Sequence, residues 1–233
     1  MTTIATNLQA VHGRIRRAAQ SAGRPPSAIA LVAVSKTWSA DKIAAAHACG
    51  QNAFGENYVQ EAMGKLTRLA HLPLEWHFIG PIQSNKTRDI AEQFQWVHSV
   101  EREKIAIRLS DARPARLPPL NVCVQVNVSG QASKSGVAPG DELALARAIT
   151  ALPRLKLRGL MAVPEPTLHT GLQRRRFARL RELKDGLAAA GIALDMLSMG
   201  MSDDLEAAIL EGATMVRVGT AIFGQRKAVK SET

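Results

Sequence analysis

A lysine ends one of the most apolar runs of the chain. Lys36 follows residues 29–34, the segment IALVAV, with only Ser35 between them. Such a run predicts a buried strand, so the lysine lies either where the strand emerges into water or at the mouth of a cavity. Partial burial disfavours the charged ammonium and leaves a neutral amine that can attack an aldehyde. A solvated lysine and a nucleophilic one both stay open on Lys36 alone.

A glycine-containing turn later in the chain carries groups that can bind an anion. The segment SMGMS supplies Ser198, a flexible Gly200 and Ser202. Ser202 is predicted as the N-cap of a helix that begins near Asp203. Hydroxyl groups and backbone N–H groups at such a turn suit a phosphate.

The segment RVGT places similar groups after a second predicted strand. Alternation puts Met215, Arg217 and Gly219 on one face of that strand. Gly219 lets the backbone approach a ligand closely, and Thr220 adds a hydroxyl beside another N–H. Together with SMGMS, these residues predict a site for a phosphate monoester. The alternative is two ordinary tight turns and an arginine paired with an internal acid.

A lysine, an arginine and a phosphate-binding turn in one cavity favour a ligand with both an aldehyde and a phosphate. Pyridoxal 5'-phosphate (PLP) is such a ligand, and Lys36 would be its covalent partner. His77, in the segment WHFIG, is a lone histidine in a strand, which is more often a hydrogen-bonded packing residue than an acid or base. The six histidines and the acids near them lack HExxH-like spacing, so no metal site is expected.

Eight β-rich runs alternate with helical runs, which predicts parallel strands joined by crossover helices. The predicted strands are 29–35, 52–55, 75–80, 95–100, 120–127, 155–163, 193–199 and 214–219. The predicted helices are 40–49, 57–70, 86–93, 101–111, 140–151, 172–190 and 203–211. The strand count, the length of 233 residues and the absence of a GxGxxG loop favour an α/β fold closed as a (β/α)8 TIM barrel over an open sheet. In a barrel, Lys36 and both turns fall at the carboxyl ends of strands, where sites lie.

An additional amphipathic helix is predicted at the amino terminus, over about residues 3–22. Ile4, Leu8, Val11 and Ile15 lie on one helical face, which indicates packing against the barrel. A transit peptide is the alternative, because the segment is rich in arginine and lacks acids. The whole chain, 1–233, is interpreted as one domain with a short charged tail at 225–233.

The bulk composition limits the classes of function. The formal net charge of +10 raises the question of nucleic acid, but only 4% of the residues are aromatic and the basic residues are spread out. The densest basic run, residues 173–184, is interpreted as a solvated helix that packs Leu172, Phe177, Leu180 and Leu183 inward. Two isolated cysteines and the lack of a long apolar segment predict a cytoplasmic protein that binds neither nucleic acid nor membrane.

Six segments together resemble the pyridoxal phosphate homeostasis proteins, which are single-domain barrels of the alanine racemase N-terminal-domain type. In chain order they are VAVSKTWSADKI, FGENYVQE, WHFIGPIQSNK, SKSG, LSMGMSDDLEAAI and VRVGTAIFG. The resemblance extends from about residue 4 to residue 224. It is far more specific than any one of the segments.

The resemblance implies roles for particular residues. Lys36 would hold PLP as an internal aldimine, and Arg217 would face the pyridine nitrogen. Lys134, in SKSG, would meet PLP at a second and weaker site, although a solvated loop lysine explains it equally well. The residues that would bind the cofactor are Lys36, Asn57, His77, Ser198, Met199, Arg217, Gly219 and Thr220.

One departure from the alanine racemases bears on function. Those enzymes add a second domain that supplies an opposing catalytic tyrosine, whereas the only tyrosine here is Tyr58, after the second predicted strand. Racemisation needs acid and base groups on both faces of the substrate carbanion. The leading hypothesis is therefore a monomeric, non-catalytic PLP carrier that buffers the cofactor, passes it to PLP-dependent apo-enzymes, and maintains vitamin B6 and amino-acid and keto-acid homeostasis. The alternatives are a weak racemase-like PLP enzyme and, last, a phosphate- or RNA-binding barrel without PLP.

Overall fold

The eight strands close into one parallel barrel in the computed structural model, which describes residues 3–131 and 135–225. Each strand pairs in parallel with its neighbour in sequence, and β8 closes the ring by pairing with β1. The strands are β1 (Ala30–Val34), β2 (Ala53–Glu56), β3 (Glu75–Phe78), β4 (Trp96–Val100), β5 (Leu120–Gln125), β6 (Leu155–Met161), β7 (Met196–Ser198) and β8 (Met215–Val218). The predicted (β/α)8 TIM barrel is confirmed.

Helices cover the outside of the barrel. They are α1 (Ile4–Ser21), α2 (Ala40–Ala48), α3 (Val59–Arg68), α4 (Thr87–Gln93), α5 (Glu103–Ala112), α6 (Glu142–Thr150), α7 (Thr170–Ala189), α8 (Leu205–Leu210) and α9 (Thr220–Phe223). Short 3-10 turns lie at Pro26–Ala28 and Ser84–Lys86. The short α9 was not predicted.

The predicted amino-terminal helix is present as α1. Its N-cap is Thr3, whose hydroxyl accepts from the Thr6 N–H. Leu8, Val11 and Ile15 are buried, as their spacing predicts. The helix packs against α8 and α9, beside the closing strand β8.

Two apolar layers hold the barrel together. The larger layer lies between strands and helices, and it contains fully buried side chains such as Phe54, Ile90 and Leu109. The smaller layer fills the barrel interior and consists of Val32, Trp96, Cys123, Met161 and Met215. The interior above this small layer is polar, and that is where the site residues begin.

The basic helix predicted over 172–190 is α7. Phe177 and Leu180 are buried, and Leu183 packs against the core. Arg174 and Arg181 both pair with Glu211, a buried residue at the end of the neighbouring helix α8. Part of the positive charge of α7 is therefore neutralised within the chain. Lys134 and most of the predicted tail, residues 226–233, lie outside the described residues.

Candidate functional site

Lys36 lies at the carboxyl end of β1, in the turn that leads to α2, and it is half-buried. The residue after it, Thr37, has a φ of 68°, a left-handed conformation that a β-branched residue rarely adopts. The residue before it, Ser35, is fully buried and donates its N–H to the Gly55 carbonyl on β2. Lys36 is thus held between a buried strand end and a strained turn.

Two side chains of α3 hold the peptide groups on either side of Lys36. The Lys65 ammonium donates to the Ser35 carbonyl at 2.8 Å. The Glu61 carboxylate accepts from the Thr37 N–H and from Lys65. We call Glu61 and Lys65 the α3 clamp. Since both flanking peptides are bound, the clamp fixes the backbone orientation from which the Lys36 side chain leaves.

A buried carboxylate at the end of β2, that of Glu56, binds the Lys65 ammonium of the α3 clamp. Glu56 is fully buried, and its Oε1 accepts from Lys65 at 2.7 Å and from the Ser35 hydroxyl at 2.6 Å. Burial raises the pKa of Glu56, and the nearby Lys65 charge opposes that rise. Glu56 Oε2 has no hydrogen-bond partner within the described part of the chain.

Arg217 lies inside the barrel on β8, on the same face as Met215, as the alternation predicts. Its guanidinium donates to the Ser198 hydroxyl at 2.5 Å and to the Ala162 carbonyl at 2.9 Å. Burial lowers the pKa of Arg217 to about 10, and the carboxylate of Asp204 opposes this effect. Both hydrogen bonds go to neutral acceptors, and no carboxylate among the described residues forms an ion pair with the guanidinium.

Below Arg217, a row of buried polar side chains crosses the barrel interior. The Ser198 hydroxyl is 2.7 Å from His98 Nδ1, and His98 Nε2 is 2.9 Å from His77 Nδ1. His77 Nε2 is 2.8 Å from the Glu75 carboxylate, which is half-exposed at the start of β3. We call Ser198, His98, His77 and Glu75 the interior polar row.

The turn after β8 begins α9 and lies against β1. Gly219 is half-buried and Thr220 is exposed at this turn. A Cβ on Gly219 would lie 3.2 Å from the Val34 carbonyl oxygen, so the turn packs against the strand that leads to Lys36. The predicted anion-binding turn therefore packs against the strand that ends two residues before Lys36.

The prediction that Ser202 caps a helix beginning near Asp203 is wrong. The helix α8 begins at Leu205, with Asp204 as its N-cap residue, because the Asp204 carboxylate accepts from the Met201 N–H and closes a turn first. The Ser202 hydroxyl instead accepts from the Ala221 N–H of α9, at 3.3 Å. This contact places a second hydroxyl beside the turn of Gly219.

The other predicted site residues lie at different depths. Met199 is fully buried in the core between strands and helices, and His77 is fully buried inside the barrel. Asn57 is half-buried just after β2, and its Oδ1 has no hydrogen-bond partner among the described residues. Asn57 also borders a cavity of about 290 Å³ at the carboxyl ends of β2 and β3.

The structure thus brings some of the predicted residues together and separates others. Lys36 follows β1, Gly219 and Thr220 follow the neighbouring strand β8, and Arg217 lies inside the barrel on β8. Ser198 lies in the interior beside Arg217, where its hydroxyl is engaged by Arg217 and His98. Sequence reasoning missed His98 and the α3 clamp, and it assigned Ser202 to a helix cap that the structure does not form. Of these, only His98 carried a signal, since it shares a strand face with Trp96.

No group of three His, Cys, Asp or Glu side chains in the described ranges could hold a metal ion. Within the same ranges, none of the helices has the length and apolar character needed to cross a bilayer.

Comparison with known proteins places the chain among PLP-associated barrels. The family described as alanine racemase, N-terminal domain, matches residues 6–227. A pyridoxal phosphate homeostasis protein of Pseudomonas aeruginosa is 66% identical over 97% of each chain. Its counterpart in Escherichia coli is 51% identical over 97% of this chain and 98% of that protein.

Solved structures agree with this assignment. PipY of Synechococcus elongatus, solved with PLP bound, matches this chain with a TM-score of 0.82 and 37% sequence identity. The match covers 95% of this chain and 100% of the PipY chain. Alanine racemase of Corynebacterium glutamicum has a TM-score of 0.67 at 19% identity, covering 97% of this chain and 63% of its own, which is a likeness of fold. The chain belongs to the pyridoxal phosphate homeostasis protein family, within the group that shares the alanine racemase N-terminal domain.

Proposed function

We propose that this protein binds pyridoxal 5'-phosphate through a covalent bond to Lys36 and carries it, without catalysing a reaction of its own. The observation that carries the proposal is the pairing of β1 with β8. Strands β1 and β8 pair in register from Ala30–Met215 to Ala33–Val218, so Lys36 and the Gly219 turn follow adjacent strand ends. The homeostasis role of the curated relatives and the PLP bound to PipY support the same ligand.

The residues present fit such a cofactor. Gly219 lets the backbone approach a ligand closely, and Thr220 follows it with a hydroxyl. The Ser202 hydroxyl contacts the Ala221 N–H of the same turn, so these groups could together hold a phosphate. Arg217 has more N–H donors than its two hydrogen bonds use, so it can also donate to a ring nitrogen. Asn57 brings a buried carbonyl oxygen that a ligand donor would satisfy.

PLP supplies an aldehyde that bonds reversibly to amines and a pyridine ring that can accept electrons. The amine of Lys36 would bond to the aldehyde carbon with loss of one water, and water or a competing amine would reverse the bond. Arg217 is a donor, so it would favour the unprotonated ring nitrogen. An unprotonated ring accepts electrons poorly, so this contact would weaken the cofactor as an electron acceptor.

The placement of His77 supports a carrier rather than a racemase-like enzyme. An enzyme of that class needs an acid or base that reaches each face of its substrate. His77 is fully buried, and both ring nitrogens are engaged, by His98 and Glu75. Tyr58 is 55% exposed and lies beyond β2. Neither residue provides the second face in this structure.

The absorption spectrum of the purified protein, with and without added PLP, tests the proposal. We expect a visible band that borohydride removes, with the reduced pyridoxyl group mapped by mass to Lys36. Lys36→Ala should lose both the band and the label, whereas Lys42→Ala, which removes an exposed lysine of the neighbouring helix, should keep them. A wild-type protein that stays unlabelled in excess PLP would overturn the proposal.

A second measurement separates the carrier from the enzyme. The PLP-loaded protein is incubated with amino acids in deuterated water, and exchange at Cα is followed by mass. The carrier predicts no exchange above that of free PLP, and it predicts transfer of PLP to an apo-enzyme. Exchange that depends on the protein would favour the racemase-like alternative.

We further propose that the carrier is a cytoplasmic monomer. The basic helix α7 neutralises part of its charge through Glu211, which leaves less free cation for a polyanionic partner. Light scattering on the eluted protein should give a mass of about 25 kDa, close to the chain mass of 25.1 kDa. A dimeric mass would contradict this proposal without touching the PLP site.

A further inference from the structure

The interior polar row connects Arg217 to the opposite end of the barrel through three buried side chains. Starting at Arg217, the contacts run to Ser198 at 2.5 Å, to His98 at 2.7 Å, to His77 at 2.9 Å and to Glu75 at 2.8 Å. Ser198, His98 and His77 are all fully buried, so no water can substitute for a missing partner without rearrangement. The row must therefore satisfy its own donors and acceptors.

The Glu75 end determines the direction of the hydrogen bonds. Its carboxylate is an acceptor only, and the hydrogen bond from His77 lowers the pKa of Glu75, which keeps it ionised. His77 Nε2 must then carry a proton and donate it to Glu75. Burial lowers the pKa of His77, so the ring is neutral and its Nδ1 is an acceptor.

The donors and acceptors of His98 and Ser198 follow from those of His77. His77 Nδ1 accepts, so His98 Nε2 must donate. Burial keeps the pKa of His98 well below the ordinary value, so this ring is also neutral and its Nδ1 accepts. The Ser198 hydroxyl then donates to His98 Nδ1, and its oxygen accepts from Arg217.

The Arg217 end fits this direction. A guanidinium can only donate, and the Ser198 oxygen is left with a lone pair that faces it. Every bond of the row thus runs the same way, from the cation at Arg217 to the carboxylate at Glu75. A reversed bond anywhere would bring two donors or two acceptors together in the barrel interior.

We infer that the interior polar row is a one-way donor chain in which Ser198, His98 and His77 are positioning residues that hold Arg217 for the cofactor ring. The role toward the cofactor rests on the proposed function, whereas the direction of the chain does not. The Ser198 proton is committed to His98, so Ser198 would act on the cofactor through Arg217 rather than on the phosphate. Glu75, at the amino-terminal end of β3, sets the direction.

Nitrogen-15 NMR of the cofactor-free protein tests the direction. Long-range proton–nitrogen correlations should show both His77 and His98 as neutral rings protonated at Nε2, at about pH 7 to 8. Glu75→Gln replaces the acceptor by an amide that can also donate, so we expect an Nδ1-protonated form to appear at His77. Asp195→Asn is the matched control, because it removes a carboxylate at the same end of the barrel that pairs with Arg158 instead. An Nδ1-protonated or charged ring in the wild-type protein would overturn the inference.

Once labelling has shown that PLP bonds to Lys36, the rate at which bound PLP is released tests the positioning role. Ser198→Ala should speed release about tenfold, because Arg217 loses a hydrogen bond that involves a charged group. Ser198→Thr keeps the hydroxyl and should restore the wild-type rate. A wild-type rate in Ser198→Ala would overturn the positioning role, and if that variant fails to fold, Glu75→Gln decides by the same release assay. Failure to bind PLP at all would overturn the proposed function and leave the NMR result standing.

Discussion

The backbone beside Lys36 is strained at Thr37. Its left-handed backbone, with φ of 68°, costs on the order of 1–2 kcal/mol for a residue with a Cβ. Such strain persists only where neighbouring contacts hold it, and here Glu61 accepts the Thr37 N–H. Lys65 holds the preceding peptide through the Ser35 carbonyl. The backbone on both sides of Lys36 is therefore held by residues of α3.

Replacing Lys65 by methionine tests the α3 clamp. Lys65→Met leaves the buried Glu56 carboxylate without its cation, so we expect the free energy of unfolding to fall by about 3 kcal/mol. Labelling of Lys36 by PLP and borohydride should also slow, because the Ser35 peptide is released. Urea unfolding and timed labelling measure the two effects.

A double variant and a control sharpen this test. Lys65→Met combined with Glu56→Gln removes the stranded charge as well, and it should recover part of the lost stability. Lys42→Met, at an exposed position of α2, should behave as the wild type. Equal stability of Lys65→Met and Lys42→Met would contradict the importance of the clamp.

At the residue scale, periodicity and composition were enough to predict at which strand ends the candidate residues lie. The apolar run before Lys36 and the alternation around Arg217 and Gly219 identified a cation and a turn on adjacent strands. The contact between His98 and Ser198 could not be predicted, because it joins residues 100 positions apart. Lys65 also escaped notice, since a lysine on an amphipathic helix ordinarily indicates a solvated face.

At the element scale, α1 supports the short helix that follows the Gly219 turn. The Asn7 side-chain amide donates to the Ile222 carbonyl at 2.8 Å, and Ile222 lies in α9. Arg14 pairs with Glu206 of α8 through two hydrogen bonds, at 2.6 and 2.7 Å. These contacts join the amino-terminal helix to the elements that flank the proposed phosphate position.

Asn7→Ala tests whether α1 supports α9. The variant leaves the Ile222 carbonyl without this donor, and we expect a loss of about 1 kcal/mol in the free energy of unfolding. Amide hydrogen exchange in α9 should become faster than in β5, on the far side of the barrel. Gln9→Ala, at an exposed position of the same helix, is the control and should leave the exchange unchanged. Unchanged exchange in Asn7→Ala would contradict the supporting role.

Element boundaries were less predictable than element order. The predicted strand 193–199 is reduced to Met196–Ser198, and the predicted helix 203–211 begins at Leu205. The reason for the late start is local, since Asp204 closes a turn on the Met201 N–H before the helix begins. Serine and aspartate both suit an N-cap, so the sequence could not rank Ser202 against Asp204.

At the scale of the whole molecule, the interior polar row links stability to pH. Burial lowers the pKa of His77, and it lowers that of His98 further below the ordinary value. The unfolded chain therefore binds protons below about pH 6.5 that the folded chain does not bind. The free energy of unfolding should fall on acidification, by about 1.4 kcal/mol per pH unit for each histidine.

His98→Gln isolates one histidine from this effect. Urea unfolding between about pH 7.5 and 5.5 gives the slope of the free energy of unfolding against pH. This slope should be smaller for the variant by the contribution of one histidine. Glu56 and Asp204 have raised pKa values and act in the opposite sense, but they are present in both proteins and cancel in the difference. Equal slopes would show that His98 takes up a proton in the folded state.

The hydrogen bonds of the interior polar row also depend on the correct register of the strands. Its members come from β3, β4 and β7, and Arg217 adds β8 and, through the Ala162 carbonyl, the end of β6. A slip of one residue in any of these strands would turn its polar side chain toward the helices and leave its neighbours unbonded. Aliphatic side chains tolerate such a slip far better, because their contacts have no direction. A polar centre therefore gives this barrel a means of rejecting misaligned closures during folding.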